Sequence, residues 1–564
     1  MSEFDDIFDV IGHFKKYQWL LYLMISYPAV SSGFNAVASV FLQYLPSYHC
    51  SVDYDIQLLP YNENTRCGGL SMSTCSEYIQ PTNPNQGQQS CSNGYSYNSS
   101  ESALWNSVIA EFNLVCDDKV YATISSVLFF AGFFFGAILG GFIADNFGRK
   151  TAIIIGGIGN AASGLACSFA NNWWVYGICR FLVGCFGNVA YVACFVFIME
   201  VVGPKYRSPC GIFVQGMFAI GYAFLSLFAY AWPYWRHLQR SLAVVPLPII
   251  LFMMLIYDSP RYYVAKKRKD DAIKAILTIA KRNGKDFGNK PTRIEAIINN
   301  MNEDQDQNQK TFTAADLFRN GRRMMLITLN LMFNWFVNSV CYYGLGLNSA
   351  ALPTNIYISN LLYALLEFPS YIFVSWSIEK ASLCGLKMGR RGSLAWCLLL
   401  GGACTLISTV FAELGFCNKD GPDAFKDPYI MTAFILALLG KFFIAGSFAV
   451  VYNITAELFP TQVRSNAVGI CSMASRIGGM MSPVFISLYD IVSWLPGAIF
   501  GGFAVIAGFL SFYLPDTYGV PMLMSFEEAD SLYRGVDIAQ SRLSNELDMK
   551  PQENRAYREK EDEL

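Results

Sequence analysis

Residues 120–150 read VYATISSVLFFAGFFFGAILGGFIADNFGRK, and this stretch decides the fold class. Residues 120–143 carry no charged side chain, and the run ends at Asp145 and Gly148-Arg149-Lys150. A helix that crosses about 30 Å of hydrocarbon needs roughly 20 such residues. The stretch therefore predicts a membrane-spanning helix that is followed by a short basic loop.

The whole chain has the composition of a protein with many such helices. Of its 564 residues, 53% are hydrophobic and 15% are charged, whereas about a quarter of the residues in soluble domains are charged. The net charge of -2 creates no field that attracts nucleic acid, so we expect no nucleic-acid partner. These values exclude a disordered chain, a disulfide miniprotein and an ordinary cytosolic enzyme.

Twelve apolar runs of this kind are present. Because lipid offers the backbone no hydrogen bonds, each run is predicted to be helical. The runs lie at 17–43, 120–143, 151–171, 174–199, 209–231, 241–257, 325–346, 355–377, 393–412, 430–455, 466–489 and 494–514. We therefore predict an all-α protein with twelve transmembrane helices in a lipid bilayer. The alternative is that some runs are buried core helices.

Lys and Arg cluster in the loops on one side of these runs. Arg149, Lys205, Arg261, Arg390 and Arg464 follow runs two, four, six, eight and ten. Positive charge accumulates in cytoplasmic loops, so this side is predicted to be cytoplasmic, together with both termini. The start of the chain lacks the basic region of a signal peptide, and we expect the first span to be retained.

The segment 44–119 then lies outside the cell. An oxidising compartment favours disulfides, but an odd number of cysteines and their spacing leave the pairing open. The disulfide candidates are Cys50, Cys67, Cys75, Cys91 and Cys116. Asn98-Ser99-Ser100 is an acceptor pattern for N-glycosylation, with Asn98 as the modified residue.

Three charged patterns occur once in each half of the chain. They are Gly148-Arg149-Lys150 with Gly389-Arg390-Arg391, Glu200 and Arg207 with Glu457 and Arg464, and Asp258 with Asp516. Parallel repeats of six spans build transporters that rock around a central site. The repeats therefore predict two related six-helix bundles. The alternative is that the basic loops only set the topology.

This organisation divides the chain into seven parts. They are a cytoplasmic N-terminus 1–16, the first span 17–43, an extracellular domain 44–119, spans two to six at 120–257, a cytoplasmic linker with short helices 258–323, the C-terminal bundle 324–514 and a solvated cytoplasmic tail 515–564.

The charged residues at the cytoplasmic helix ends predict a gate. Exposed ion pairs are each worth about 0–1 kcal/mol, but a network of them can bias one of two packings. We expect the network to latch the cytoplasmic side closed in the outward-open state. The gating candidates are Asp145, Arg149, Lys150, Glu200, Arg207, Arg390, Arg391, Glu457 and Arg464.

The motifs resemble the major facilitator superfamily through Gly141–Lys150. Within it, the chain resembles the family of organic cation, carnitine and organic anion transporters over nearly its whole length. That resemblance lies in Phe4–Asp9, Trp105 with Glu111–Cys116, Asp258–Arg261, Tyr342–Gly344 and Thr455–Pro460. The loop 379–391 departs from the superfamily pattern by an insertion.

The resemblance implies a major facilitator fold, alternating access and a plasma-membrane site for small charged organic solutes. No ATP-binding motif and no Ser/His/Asp arrangement is present, so we expect gradient-driven transport and no enzyme activity. We expect no cofactor and no metal site, with sodium coupling as an open alternative. A non-transporting membrane sensor that uses the outer loop is a hypothesis from another class.

Ionisable residues inside spans are costly and therefore indicate the central site. Glu367 and Arg476 stand out, and Lys441 is a third. The alternative is a buried ion pair that holds helices together. Aromatic rings attract ammonium groups in a dry cavity. The remaining substrate-binding candidates are Trp335, Tyr342, Tyr343, Tyr363, Tyr452, Tyr191, Phe218 and the polar Asn35.

Position 476 bears on the charge of the substrate. The resemblance implies an aspartate there in cation carriers and an arginine in carriers of carnitine or anions. Arg476 offers a two-pronged donor to a carboxylate, and Glu367 with tyrosines is suited to a quaternary amine. We therefore expect a carnitine-like zwitterion as substrate, with organic cations and organic anions as alternatives.

Overall fold

The computed structural model describes most of the chain. The described residues are 6–51, 61–62, 69–70, 75–78, 88–91, 93–99, 103–284, 314–319, 321–351, 355–380, 382–383, 386–415, 427–460, 462–518, 520, 523 and 525–535. Cys67 and the ends of the chain lie outside this set.

Helices dominate the described residues. In the first half they are α1 (Asp6–Ile11), α2 (Lys16–Val37), α3 (Ser39–Leu42), α4 (Val108–Phe112), α5 (Lys119–Phe147), α6 (Arg149–Cys167), α7 (Trp173–Val201), α8 (Pro204–Ala231), α9 (Trp235–Val244) and α10 (Pro248–Met254). The segment that follows holds α11 (Pro260–Ala265), α12 (Lys269–Arg282) and α13 (Asp316–Arg319).

The second half repeats this organisation. Its helices are α14 (Arg322–Leu347), α15 (Ile356–Leu365), α16 (Glu367–Ser377), α17 (Gly389–Leu414), α18 (Pro428–Leu458), α19 (Arg464–Ser487), α20 (Leu495–Ser511) and α21 (Phe526–Arg534).

All twelve predicted runs coincide with helices. Among the described residues, nine helical stretches are long and apolar enough to cross a membrane: Lys16–Leu42, Cys116–Phe147, Trp173–Val201, Pro204–Ala231, Trp235–Met254, Arg322–Leu347, Ile356–Ser377, Gly389–Leu414 and Pro428–Leu458. Helices α6, α19 and α20 fall outside that set. The run 355–377 is divided near Leu366, because Pro369 has no N–H to bond the carbonyl of Leu365.

Short strands occupy the loop between α3 and α4 and the segment before α17. The strands β1 (Tyr48–Cys50) and β6 (Tyr95–Tyr97) pair antiparallel, as do β2 (Tyr61–Asn62) with β3 (Gly69–Leu70), β4 (Ser76–Tyr78) with β5 (Gln88–Ser90), and β7 (Ser382–Leu383) with β8 (Leu386–Lys387). Two disulfides, Cys50–Cys91 and Cys75–Cys116, cross-link the first loop. Asn98 is exposed on this loop.

Glycines let α5 and α7 approach closely. A Cβ at Gly132 or Gly136 would clash with the backbone of α7, and a Cβ at Gly140 would lie 3.0 Å from the Cα of Val189. Gly141 faces open space instead, so three of these four glycines allow the close approach. Small residues at such contacts allow the backbones of the two helices to pack directly on each other.

The two halves meet through the second and fifth long helices of each. Helix α5 packs on α19, and α8 packs on α15. This reciprocal pairing is the arrangement that a twofold relation between the halves produces. We call the end of the bundle where Arg149 and Arg390 lie the basic end. The opposite end, where Lys119 and Asp490 lie, is the disulfide end.

Helices outside the bundle cover its basic end. Arg282, the last residue of the linker helix α12, donates to the hydroxyl of Tyr17 (2.8 Å). Helix α21 packs back on the second half, where the hydroxyl of Tyr533 donates to the carbonyl of Leu458 (2.7 Å). Leu532 of this helix is buried. The prediction of a solvated tail is therefore wrong for α21, because its apolar face finds a partner in the bundle.

Candidate functional site

Arg476 lies where α19 meets α5, at the boundary of the two halves. Its residue is only 7% exposed, and its guanidinium carbon lies 5.5 Å from the ring centroid of Phe133. Tyr343, Tyr191 and Tyr452 are near enough to interact with its charge. The Nε atom has no hydrogen-bond partner among the described residues. The guanidinium thus keeps donor capacity inside a ring of tyrosines.

Aromatic rings from both halves surround this position. Across the boundary, the ring centroids are 4.8 Å apart for Phe130 and Tyr343, 6.2 Å for Phe195 and Tyr452, and 6.3 Å for Phe218 and Tyr342. Within the second half they are 4.2 Å apart for Trp335 and Tyr452, and 5.4 Å for the stacked pair Tyr342 and Phe448. The site therefore has an aromatic wall contributed by each half.

Both carboxylate oxygens of Glu367 have buried partners. Both Glu367 and Lys441 have fully buried side chains, and Lys441 Nζ lies 3.1 Å from Glu367 Oε1. The hydroxyl of Tyr342 donates to Oε1 (2.6 Å), and that of Tyr371 donates to Oε2 (2.9 Å). Lys441 Nζ also lies 3.4 Å from the ring centroid of Tyr342. The Glu367–Lys441 pair is neutral as a whole, and Arg476 adds a further positive charge.

Three other predicted site residues have further contacts of their own. Trp335 donates through Nε1 to the hydroxyl of Thr455 (2.9 Å), although its ring stays in the aromatic wall. Tyr363 lines a cavity within the second half. Asn35 donates to the carbonyl of Ser31 in its own helix (3.0 Å). Of the predicted substrate-binding set, Tyr363 and Asn35 are therefore not brought together with Arg476 by these contacts.

The site contains rings that sequence reasoning missed. They are Phe130, Phe133, Phe195, Phe448 and Tyr371. Helical spacing was an available signal for one of them, since Phe448 lies four residues before Tyr452 and therefore on the same helix face.

At the basic end, equivalent ion pairs occur in the two halves. Arg149 Nη2 lies 3.0 Å from Glu200 Oε1, and Arg390 Nε lies 2.8 Å from Glu457 Oε1. Asp145 lies 3.2 Å from Arg149 as well. Each arginine lies at the start of a helix and each glutamate near the end of one, so the repeated sequence patterns form the same contact twice.

The remaining gating candidates bind carbonyls or acids within their own half. Lys150 Nζ donates to Ile256 O (3.0 Å), Arg207 Nε to Met199 O (3.0 Å), Arg464 Nη2 to Phe459 O (3.3 Å), and Arg391 Nη2 lies 3.8 Å from Asp516 Oδ2. At the disulfide end, by contrast, Lys119 Nζ and Asp490 Oδ1 join the two halves at 2.5 Å.

Asp258 binds the backbone where α5 is joined to α6. Its Oδ1 accepts the backbone N–H groups of Lys150 (3.1 Å) and Ser259 (2.8 Å). Burial raises the pKa of the Asp258 carboxyl, and these hydrogen bonds oppose the rise. Gly148 has a positive φ of 102° and lies against this carboxylate, where a Cβ would clash.

Comparison with known proteins places the chain among membrane carriers. Residues 69–532 match the family described as sugar (and other) transporter. An organic cation transporter protein of Drosophila melanogaster is 30% identical over 549 residues, which covers 94% of each chain. An organic cation transporter-like protein of the same organism is 31% identical and covers 93% of this chain and 92% of its own.

A human relative and a bacterial structure extend the comparison. The organic cation/carnitine transporter 2 of Homo sapiens is 29% identical and covers 93% of each chain. The inward-open xylose transporter XylE from E. coli superposes with a TM-score of 0.57 at 15% identity, covering 92% of this chain and 100% of that one. At this identity the superposition establishes the fold alone, and that fold is the all-helical major facilitator fold.

Proposed function

Because the chain belongs to the sugar (and other) transporter family and is related over nearly its whole length to organic cation and carnitine transporters, we propose that it carries a carnitine-like zwitterion by alternating access. The sequence-based assignment to this family is confirmed by the relatives, and so is the assignment as a transporter rather than an enzyme. The chain is a multi-pass membrane protein.

The charge balance of the central site supports a substrate with a carboxylate. Glu367 and Lys441 neutralise each other at 3.1 Å, so Arg476 supplies the uncompensated charge. A guanidinium in a buried, tyrosine-lined position binds a carboxylate through parallel N–H donors. We assign this role to Arg476, whose Nε is without a hydrogen-bond partner among the described residues.

The aromatic wall supports a substrate with an ammonium group at its other end. Tyr452, Trp335, Phe448 and Tyr342 form a continuous set of ring contacts. Ring faces attract a desolvated quaternary ammonium by about 2 kcal/mol. Glu367 serves in this proposal as the counter-charge of Lys441, with direct contact to the substrate amine as the alternative role.

The proposal includes a membrane topology. Twelve helices cross the plasma membrane, namely the nine apolar stretches together with α6, α19 and α20. Both termini and the basic end face the cytoplasm, and the disulfide-linked loop with Asn98 faces outside. The excess of Lys and Arg at the basic end supports this orientation. Transport is driven by solute or ion gradients, with sodium as the candidate coupling ion.

Side-by-side uptake tests the proposal. Purified protein is reconstituted into vesicles, and the uptake of labelled carnitine, tetraethylammonium and glutarate is measured with and without a sodium gradient. We expect saturable carnitine uptake that exceeds uptake of the other two. Uptake of tetraethylammonium alone would refute the carboxylate role of Arg476, and absence of flux for a broader panel of charged solutes would favour the sensor hypothesis.

Organic cation transport is the second candidate. The names of the two Drosophila melanogaster relatives favour it. In that case the substrate ammonium would lie on the same aromatic wall and Arg476 would repel it. The same uptake panel separates the two candidates, because only a carboxylate-bearing solute benefits from the guanidinium.

A further inference from the structure

A second buried arginine lies near the ring of Phe129, one helical turn along α5 from the Phe133 ring that Arg476 contacts, and the two ring centroids are 5.0 Å apart. Arg180 is the eighth residue of α7 and is 0% exposed. Its Nε, Nη1 and Nη2 atoms all lack a hydrogen-bond partner among the described residues. The guanidinium carbon lies 4.5 Å from the ring centroid of Phe129 on α5. The face of the ring attracts the positive charge. It accepts no hydrogen bond from the five N–H donors, which lie in the plane of the guanidinium.

The carboxylate of this region, Glu111, already has partners other than Arg180. Glu111 on α4 accepts the indole N–H of Trp235 (2.6 Å) and pairs with Arg236. Trp235 in turn packs on Tyr176, one turn before Arg180, with ring centroids 5.7 Å apart. The carboxylate that lies closest in this chain of contacts therefore neutralises Arg236 and not Arg180.

Two more donor groups lie near Arg180. Tyr176 lies near enough to Arg180 to interact with its charge, and Gln43 lies beside the Tyr176 hydroxyl. The Tyr176 hydroxyl and the Gln43 Nε2 both lack a hydrogen-bond partner among the described residues. Gln43 Oε1 accepts from Ser126 Oγ (2.9 Å), which orients the amide so that its NH2 group is left to donate.

We propose that Arg180, Tyr176 and Gln43 bind a small inorganic anion of the size of chloride. A buried guanidinium without a counter-charge is costly, and an anion removes that cost by accepting from all three donor groups. The groups come from α7 and from the end of the first long helical stretch, beneath the loop that joins α3 to α4. The anion thus links the base of that loop to α7.

Equilibrium binding of radioactive chloride to the purified full-length protein tests this site. We expect saturable binding of one chloride per chain in a gluconate buffer. Arg180→Gln should abolish the binding, and Tyr176→Phe, which removes one hydroxyl without changing shape, should weaken it by about tenfold or more. Arg240→Gln is the matched control, since Arg240 lies over the ring of Phe169 and should leave binding unchanged.

Three results would overturn the proposal. The first is no saturable chloride binding to the wild-type protein. The second is wild-type binding that Tyr176→Phe leaves unchanged, which decides the matter even where Arg180→Gln does not fold. The third is full displacement of chloride by carnitine, which would make the anion the carboxylate of the transported solute. Bound chloride that raises the melting temperature of the wild type but not of Arg180→Gln would add support.

Discussion

Replacement of Arg476 by glutamine separates binding of a carboxylate from every other contribution to transport. The side chain is nearly buried, with the ring of Phe133 at 5.5 Å and tyrosines around it. Removing one partner of a desolvated, hydrogen-bonded charge pair costs about 2–5 kcal/mol. A central value of about 3 kcal/mol corresponds to a loss of roughly 150-fold in kcat/KM for carnitine.

Tetraethylammonium gives the internal comparison, because it has no carboxylate. Its uptake should stay within about threefold of wild type, or rise, since Arg476→Gln removes a repelling charge from the site. Arg476→Lys keeps the charge but loses the two-pronged geometry, and we expect an intermediate loss of about tenfold for carnitine.

The assay is initial-rate uptake of both solutes in vesicles with equal amounts of reconstituted protein. Arg240→Gln serves as the control for loss of a guanidinium outside the site. The prediction concerns the ratio of the two kcat/KM values, which is insensitive to the fraction of correctly folded carrier. Equal losses for carnitine and tetraethylammonium, or an unchanged ratio, would refute the role of Arg476.

Three further perturbations follow from the contacts. Lys441→Met leaves the buried Glu367 carboxylate without its counter-charge and should destabilise the protein by about 3–5 kcal/mol. Adding Glu367→Gln to this variant should restore much of the lost thermal stability. If the double variant is no more stable than Lys441→Met, the pairing is contradicted. Lys119→Ala removes the exposed pair with Asp490 between the halves, worth about 0–1 kcal/mol, and should increase labelling of cysteines introduced inside the disulfide end by at most about fivefold. Gly148→Ala places a Cβ at a positive φ and against a buried carboxylate, so the yield of folded carrier should fall, whereas Gly141→Ala, which faces open space, should not change it.

The sequence predicted the helices because lipid imposes one solution on an apolar run. Without water, the backbone must bond within its own segment, so each run becomes a helix whatever its neighbours are. The prediction of one continuous helix failed at 355–377, where Pro369 divides the helix near Leu366. Packing of the tail helix α21 was missed because a single short amphipathic segment does not reveal its partner.

The ionisable residues of the candidate site can be recognised in the sequence for an equally general reason. A charge inside an apolar run is costly, so Glu367, Lys441 and Arg476 stand out without any alignment. The partners of these residues do not stand out in the same way. Pairing across helices depends on how each helix is rotated and shifted along its axis, which the local sequence does not specify. The rings of Phe130 and Phe133 escaped notice for a related reason, since aromatic residues are common throughout membrane helices and only their neighbours distinguish them.

The distribution of ion pairs bears on the gate hypothesis. Arg149–Glu200 and Arg390–Glu457 each join helices of one half, whereas Lys119–Asp490 joins the two halves at the opposite end. Breaking a pair within one half changes the stability of both conformations together, and only a pair between the halves shifts their balance. A latch at the basic end therefore requires each arginine to exchange its glutamate for a partner across the boundary when that end closes. The hypothesis then makes the glutamates, and not only the arginines, determinants of which end is open.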